Sequence, residues 1–155
     1  MTRILQAETE TEIAAARELF REYEAELDLD LCFQGFEAEL ATLPGKYAPP
    51  DGRLLLAYSD DKLAGCIAMR KLEDGVCEMK RLFVRDKFRG QKIGIALIER
   101  VINDAREIGY AKMRLDTSTL KMKKAISLYE SYGFVEITPY YENPHPGVLF
   151  MELAL

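Results

Sequence analysis

Tryptophan is absent from this 155-residue chain, histidine occurs once and cysteine three times. A lone His145 cannot build a histidine metal centre, and Cys32, Cys66 and Cys77 are odd in number and lack metal-ligand spacing. No metal is therefore expected. Cys66 and Cys77 fall in strand-like runs and read as small core residues, with no histidine near in sequence to activate a thiolate. No apolar run comes near the ~18 residues a membrane helix needs. The opening Met1-Thr2-Arg3-Ile4 leads into an acidic segment without an apolar stretch of signal-peptide length. Neither G-x-x-x-x-G-K-S/T nor G-x-G-x-x-G occurs, and there are no linkers, repeats or low-complexity tracts. What remains is the expectation of a soluble, cytoplasmic, single domain over residues 1–155, whose 48% hydrophobic and 30% charged residues are ordinary for a globular protein.

Charge is unevenly placed around a net −5. From Glu8 to Asp30, nine acids face only Arg17 and Arg21. From Arg70 to Lys92, eight bases face four acids, and Lys112 to Lys124 adds five bases against Asp116 alone. Basic stretches confined to one half of an acidic chain suit a small polyanionic ligand. A nucleic-acid binder would be basic as a whole, so neither nucleic acid nor membrane is expected as a partner. Many of these lysines also fit a simple solvated face.

The apolar pattern resolves into alternating elements. Arg3 to Glu8 reads as a short strand, and Thr9 with Glu12 forms a capping box opening a helix that carries Ile13, Ala16, Phe20, Tyr23 and Leu27 on one face. A second short helix is expected over Phe36 to Leu43, ended by Pro44-Gly45. Leu54 to Ser59 and Leu63 to Arg70 read as a hairpin about Asp60-Asp61, and Val76 to Val84 as the third strand of a meander. Ile93 to Ile108 is a helix stopped by Gly109, and Ala111 to Thr117 a strand. Met122 to Ser131 is a helix closed by Gly133, and Phe134 to Thr138 and Val148 to Leu153 are the last strands. The order β-α-α-β-β-β-α-β-α-β-β predicts an α/β protein with a mixed sheet flanked by helices and one parallel βαβ unit. The last strand, with an exposed edge, is a possible site of homodimer pairing.

Arg89-Gly90-Gln91-Lys92-Ile93-Gly94 joins the strand ending Leu82-Phe83-Val84 to the long helix. A glycine-bearing turn into a helix start aims several backbone N–H groups, and the positive end of the helix dipole, at one point suited to a phosphate. An ordinary charged turn has the same composition, and the loop alone leaves both readings open. The segment resembles the pyrophosphate loop of the GNAT superfamily of N-acetyltransferases, which reads Q/R-x-x-G-x-G/A. Arg89 and Gly94 fill its first and last defined positions, and Lys92 stands where the middle glycine is usual. The element order is also that of the GNAT fold, so the resemblance covers nearly the whole chain. Ala125-Ile126-Ser127-Leu128-Tyr129-Glu130-Ser131-Tyr132-Gly133-Phe134 is similar to the family's A-x-x-L-Y-x-x-x-G-F at every defined position. Met122 departs from the pattern, because many members carry an asparagine there.

The resemblance implies acetyl transfer from acetyl-CoA to an amine by direct attack in a ternary complex, with acetyl-CoA as co-substrate and no metal. It implies that backbone groups of Leu82, Phe83 and Val84 hold the pantetheine arm, and that the amides of Arg89, Gly90, Gln91, Lys92, Ile93 and Gly94 hold the pyrophosphate. Glu78, in an otherwise apolar strand, falls where several members carry a glutamate base. The same position also suits a solvent-facing glutamate paired with Lys80 or Arg81. Tyr129 matches the family's tyrosine acid near the sulfur, and also reads as a half-buried aromatic of the helix's core face. The loop Pro139 to Gly147 reads as the acceptor side, or as a rigid connection. Arg53, Arg70 and Arg81 are candidates to hold a carboxylate-bearing amine. A small-molecule amine is the expected acceptor. The alternatives are a protein lysine or N-terminus, a noncatalytic acyl-CoA-binding module, or a nucleotide site preferring NAD or ATP.

Overall fold

The computed structural model describes residues 1–27, 35–120 and 122–155; Cys32, the acids Asp28 and Asp30, and Lys121 lie outside the described residues. Strand β1 (Thr2–Gln6) leads into helix α1 (Glu10–Leu27). The capping box forms as its residues dictate: the Thr9 hydroxyl accepts the Glu12 N–H at 3.1 Å, and the Glu12 carboxylate accepts the Thr9 N–H at 3.1 Å. Helix α2 (Phe36–Ala41) follows, then β2 (Arg53–Ser59), β3 (Lys62–Glu73) and β4 (Val76–Val84) as an antiparallel meander. Asp60 and Asp61 both take left-handed conformations, φ 48° and 67°, which is the twist a two-residue hairpin turn requires. Helix α3 (Ile93–Ile108), strand β5 (Lys112–Ser118), helix α4 (Lys123–Ser131) and strands β6 (Val135–Ile137) and β7 (Val148–Ala154) complete the chain.

The seven strands lie in the order β1-β2-β3-β4-β5-β7-β6, with β4 and β5 parallel. Helices cover both faces, so the central strands are apolar on alternate residues in both directions. Leu55, Ile67, Met69 and Cys77 pack beneath α3, against Leu97, Ile98 and Val101. Leu54, Leu56, Cys66 and Ala68 pack on the other face, against Leu19 and Phe20 of α1 and Phe36 and Leu40 of α2.

The expectation of a free edge at the last strand is overturned. β7 is paired by β5 on one side and β6 on the other, and the exposed edge is the three-residue β6. Strand neighbours that are distant in sequence decide this, and local pattern does not carry that information.

Two irregularities in β4 shape the molecule. Its parallel ladder with β5 has only three pairs, Val76–Lys112, Cys77–Met113 and Glu78–Arg114; beyond Glu78 the strands part. Against β3, Cys66 faces Phe83 and Ala68 faces Lys80, so Arg81 and Leu82 together oppose the single residue Ile67. This is a β-bulge, and Arg81 takes φ 61° to make it. The extra residue lets Lys80 and Arg81 both point toward α1 and α2, where strict alternation would have separated them.

Candidate active site

Where β4 and β5 part, a narrow slot opens, walled by Met79 to Leu82 on one side and Leu115 to Ser118 on the other. It shares Tyr23, Leu27, Leu82 and Met122 with a cleft of about 640 Å³. One wall of that cleft is Leu82, Phe83, Val84, Arg89 and Gly94; the other is the start of α4, Met122 to Ala125. Through Lys80 the slot also meets a chamber of about 480 Å³ between α2, the strand pair β3–β4 and the loop 138–147. Cleft, slot and chamber thus run through the sheet at its split.

The turn into α3 takes the geometry its glycines suggest, and its departure from the pattern becomes legible. Gly90 adopts φ 85° and Lys92 φ 62°, the latter as N-cap of α3. A lysine held left-handed costs about 1–2 kcal/mol, which is the physical reason a glycine is the ordinary occupant. Lys92 gives α3 no side-chain cap, so the first-turn N–H groups are left to an external acceptor. The Arg89 guanidinium is committed to protein: to the Val84 carbonyl at 2.9 Å, to Glu26 at 2.6 Å and to Asp86 at 3.4 Å. Gln91 accepts the Ser59 hydroxyl at 3.2 Å, and the Ile93 side chain is buried in the core beneath α3. Arg89 and Gly94 line the cleft, whereas Gly90, Gln91, Lys92 and Ile93, also expected there, are not among its lining residues.

Glu78 is not the solvent-facing residue that was the alternative; its side chain is 1% exposed. Strand register explains its partners. Arg70 of β3 is its direct cross-strand neighbour and donates Nε to Oε1 at 2.9 Å. The Lys80 ammonium is 3.7 Å from the same oxygen, and the Tyr140 hydroxyl donates to Oε2 at 2.6 Å. Burial by itself raises the carboxyl's pKa, but the charges of Lys80 and Arg70 and the Tyr140 hydrogen bond outweigh it, so the group lies below the usual 4.5 and stays ionised. Lys80 shifts downward too, through burial first and the like charge of Arg81 second. The row Arg70, Glu78, Arg114 and Glu152 crosses four adjacent strands with alternating sign.

Tyr129 sits in the slot, 4% exposed, with its ring tilted against Phe134 at 5.7 Å. Among the described residues its hydroxyl has no hydrogen-bond partner. Burial pushes its pKa well above 10, so the proton stays on at neutral pH.

Of the three arginines considered for an anionic acceptor, two are excluded by their neighbours. Arg53 is spent on Asp104 and on the Pro50 and Gly52 carbonyls. Arg81 forms a buried two-bond pair with Glu39, both contacts at 2.9 Å, under the Phe36 ring. Arg70 lines the chamber. The loop 138–147 is strapped across the split: Tyr140 bonds Glu78 on β4, while Tyr141 and Asn143 bond Asp116 on β5.

Sequence reasoning gave no site role to Lys80, Asp116, Lys123 or Lys124. Alternation from Lys112 to Ser118 places Arg114, Asp116 and Ser118 on one face, which was a usable signal. Two lysines in the first turn of α4 oppose the helix dipole, and such a locally unfavourable choice marks a site that meets negative charge.

Residues 6–134 match the acetyltransferase (GNAT) family. An uncharacterised N-acetyltransferase of Schizosaccharomyces pombe is 42% identical over 88% of this chain and 85% of its own length. The crystal structure of an acetyltransferase from Streptococcus agalactiae superposes with a TM-score of 0.81 at 25% identity, covering 99% of this chain and 98% of that one. A GNAT family acetyltransferase from Elizabethkingia anophelis, solved with acetyl-CoA bound, superposes with a TM-score of 0.57 at 25% identity, over 68% of this chain and 77% of that one.

Proposed function

Because the chain belongs to the GNAT family of acetyltransferases, we propose that it moves the acetyl group of acetyl-CoA to a primary amine of a small molecule within a ternary complex. One observation carries this reading: β4 and β5 part directly after Glu78, leaving a slot that joins an apolar cleft to a separate polar chamber. The cleft fits the co-substrate. It has a strand wall at Leu82 to Val84 for the extended arm, an uncapped α3 N-terminus for the pyrophosphate, and Lys123 and Lys124 opposite for further phosphate charge. When bound, acetyl-CoA supplies an activated acetyl thioester.

The chain's own residues then divide the proton work. An alkylamine has a pKa near ~10.4 and is mostly an ammonium in solution, which the ionised Glu78 attracts; the form that attacks is the free amine, reached when the ammonium gives its first proton to solvent. Glu78, ionised, receives the second proton, which the attacking nitrogen sheds as the C–N bond forms, directly or across a water. Tyr129 keeps its own proton until the departing sulfur needs one. A small acceptor is favoured by the chamber, whose ~480 Å³ lies in the range of small-molecule sites and which the strapped loop 138–147 closes on one side.

Calorimetric titration with acetyl-CoA, with NAD and ATP as controls, tests the donor site. Binding of acetyl-CoA alone is the expected result, followed by thiol release when amines are added. A folded protein that binds no acetyl-CoA would end this reading.

A further inference from the structure

The chamber's charges select more than an amine. Two carboxylates, Glu39 and Glu78, face it together with the cations Lys46, Arg70 and Lys80, and Glu39 is already neutralised by Arg81 from behind. The balance is therefore positive where a purely cationic acceptor would have to bind. Arg70 is the decisive group. Its Nε is hydrogen-bonded to Glu78, and among the described residues its two terminal nitrogens make no hydrogen bond. Its side chain is 24% exposed and lines the chamber. Lys46 is exposed at the same chamber and has no ion pair among the described residues.

We propose that the acceptor is an amino acid: a primary amine with a carboxylate on the same carbon or its neighbour, the carboxylate held by the terminal nitrogens of Arg70 with Lys46 adding charge. This rests on the acetyltransfer reading above. The arrangement recognises both ends at once. The opposite charges of such a molecule lie a few ångströms apart, and so do those of Arg70 and Glu78, whose contact is 2.9 Å. The carboxylate meets the planar donor fork, which is the geometry that guanidinium groups bind best. The ammonium is then directed at Glu78, 3.7 Å from Lys80, which the chamber shares with the slot. A molecule without the carboxylate leaves Arg70's donors facing nothing, and a site built to hydrogen-bond a group discriminates strongly against analogues that lack it.

The test separates this proposal from the acetyltransfer reading by reading acceptor binding directly. The intact protein is titrated calorimetrically with free amino acids, the corresponding carboxamides and the corresponding decarboxylated amines, first alone and then with acetyl-CoA present. At least one amino acid is expected to bind about tenfold or more tightly than its carboxamide and its amine. R70Q is expected to abolish that preference. K46A is expected to weaken the amino acid several-fold and the corresponding amine less. In turnover, K46A is expected to raise KM for the amino acid more than KM for the corresponding amine. Equal binding of amino acid, carboxamide and amine by the wild-type protein would overturn the proposal while leaving acetyl transfer intact. Failure of acetyl-CoA to bind would instead remove the donor reading, and the acceptor titration would still report on Arg70.

Discussion

Replacing Glu39 with leucine isolates the buried pair that holds the bulge of β4. Arg81 is 3% exposed and Glu39 16%, and two contacts of 2.9 Å join them. Burial opposes the Arg81 charge, but the Glu39 hydrogen bonds overcome it, and the guanidinium pKa is raised. E39L leaves that charge uncompensated beneath Phe36, a loss of about 3–5 kcal/mol. For a chain of this size each kcal/mol lowers Tm by about 2–4 °C, so a fall of about 6–20 °C is expected. The double variant E39L/R81M removes both charges and is expected to recover most of the loss, because well-packed apolar replacements of a buried pair are often close to neutral. Urea unfolding of wild type, both single variants and the double variant gives the coupling energy directly. Because Arg81 sets where Leu82 to Val84 point, E39L should also weaken acetyl-CoA binding, and the double variant reports whether the bulge needs the pair. A cost for E39L below about 1 kcal/mol, or a double variant as unstable as the two singles summed, would refute the reasoning.

Other outcomes follow from the same geometry. E78Q should lower kcat by about 10²–10⁴-fold with acetyl-CoA affinity retained, measured by thiol release and calorimetry. The Glu78 carboxyl lies below 4.5 in the folded chain, so its share of stability is complete above that pH and is lost as pH falls through the folded value. E78Q should accordingly flatten the acid side of the stability profile, read by thermal melts from about pH 3 upward. Y129F should slow turnover by about 10²-fold or more without changing acetyl-CoA affinity, and an unchanged kcat would remove Tyr129 from the proton pathway. Gly65→Ala places a Cβ 2.5 Å from the Phe83 carbonyl, so β3 and β4 must separate; a loss of about 1–3 kcal/mol together with weaker acetyl-CoA binding is expected.

The order of elements was legible because local signals agree. Asp60-Asp61 has the turn chemistry of the hairpin it makes, Gly109 the left-handed conformation that ends α3, and Thr9 with Glu12 the reciprocal bonds of a cap. The place of β7 was not legible, because it depends on pairing with β5 across some thirty intervening positions of chain folded as α4 and β6. The burial of Glu78 was hidden for a similar reason: Tyr140, which covers it, lies 62 residues away. The bulge did leave a trace, since Lys80-Arg81 puts two adjacent charges in a strand whose only other charge is Glu78, more than a two-residue alternation accommodates. Arg81 resembled a free cation only because Glu39 stands on another element.

The two halves of the site are built on different parts of the chain. The cleft is lined by β4, Gly94 of α3, the start of α4 and the end of α1, whereas the chamber, which shares β4, adds α2, the turn after it and the loop 138–147. Substitutions that reshape the chamber therefore need not disturb the cleft. A lineage built on this plan is free to exchange one acceptor for another by altering surface segments, while the donor grip is inherited unchanged.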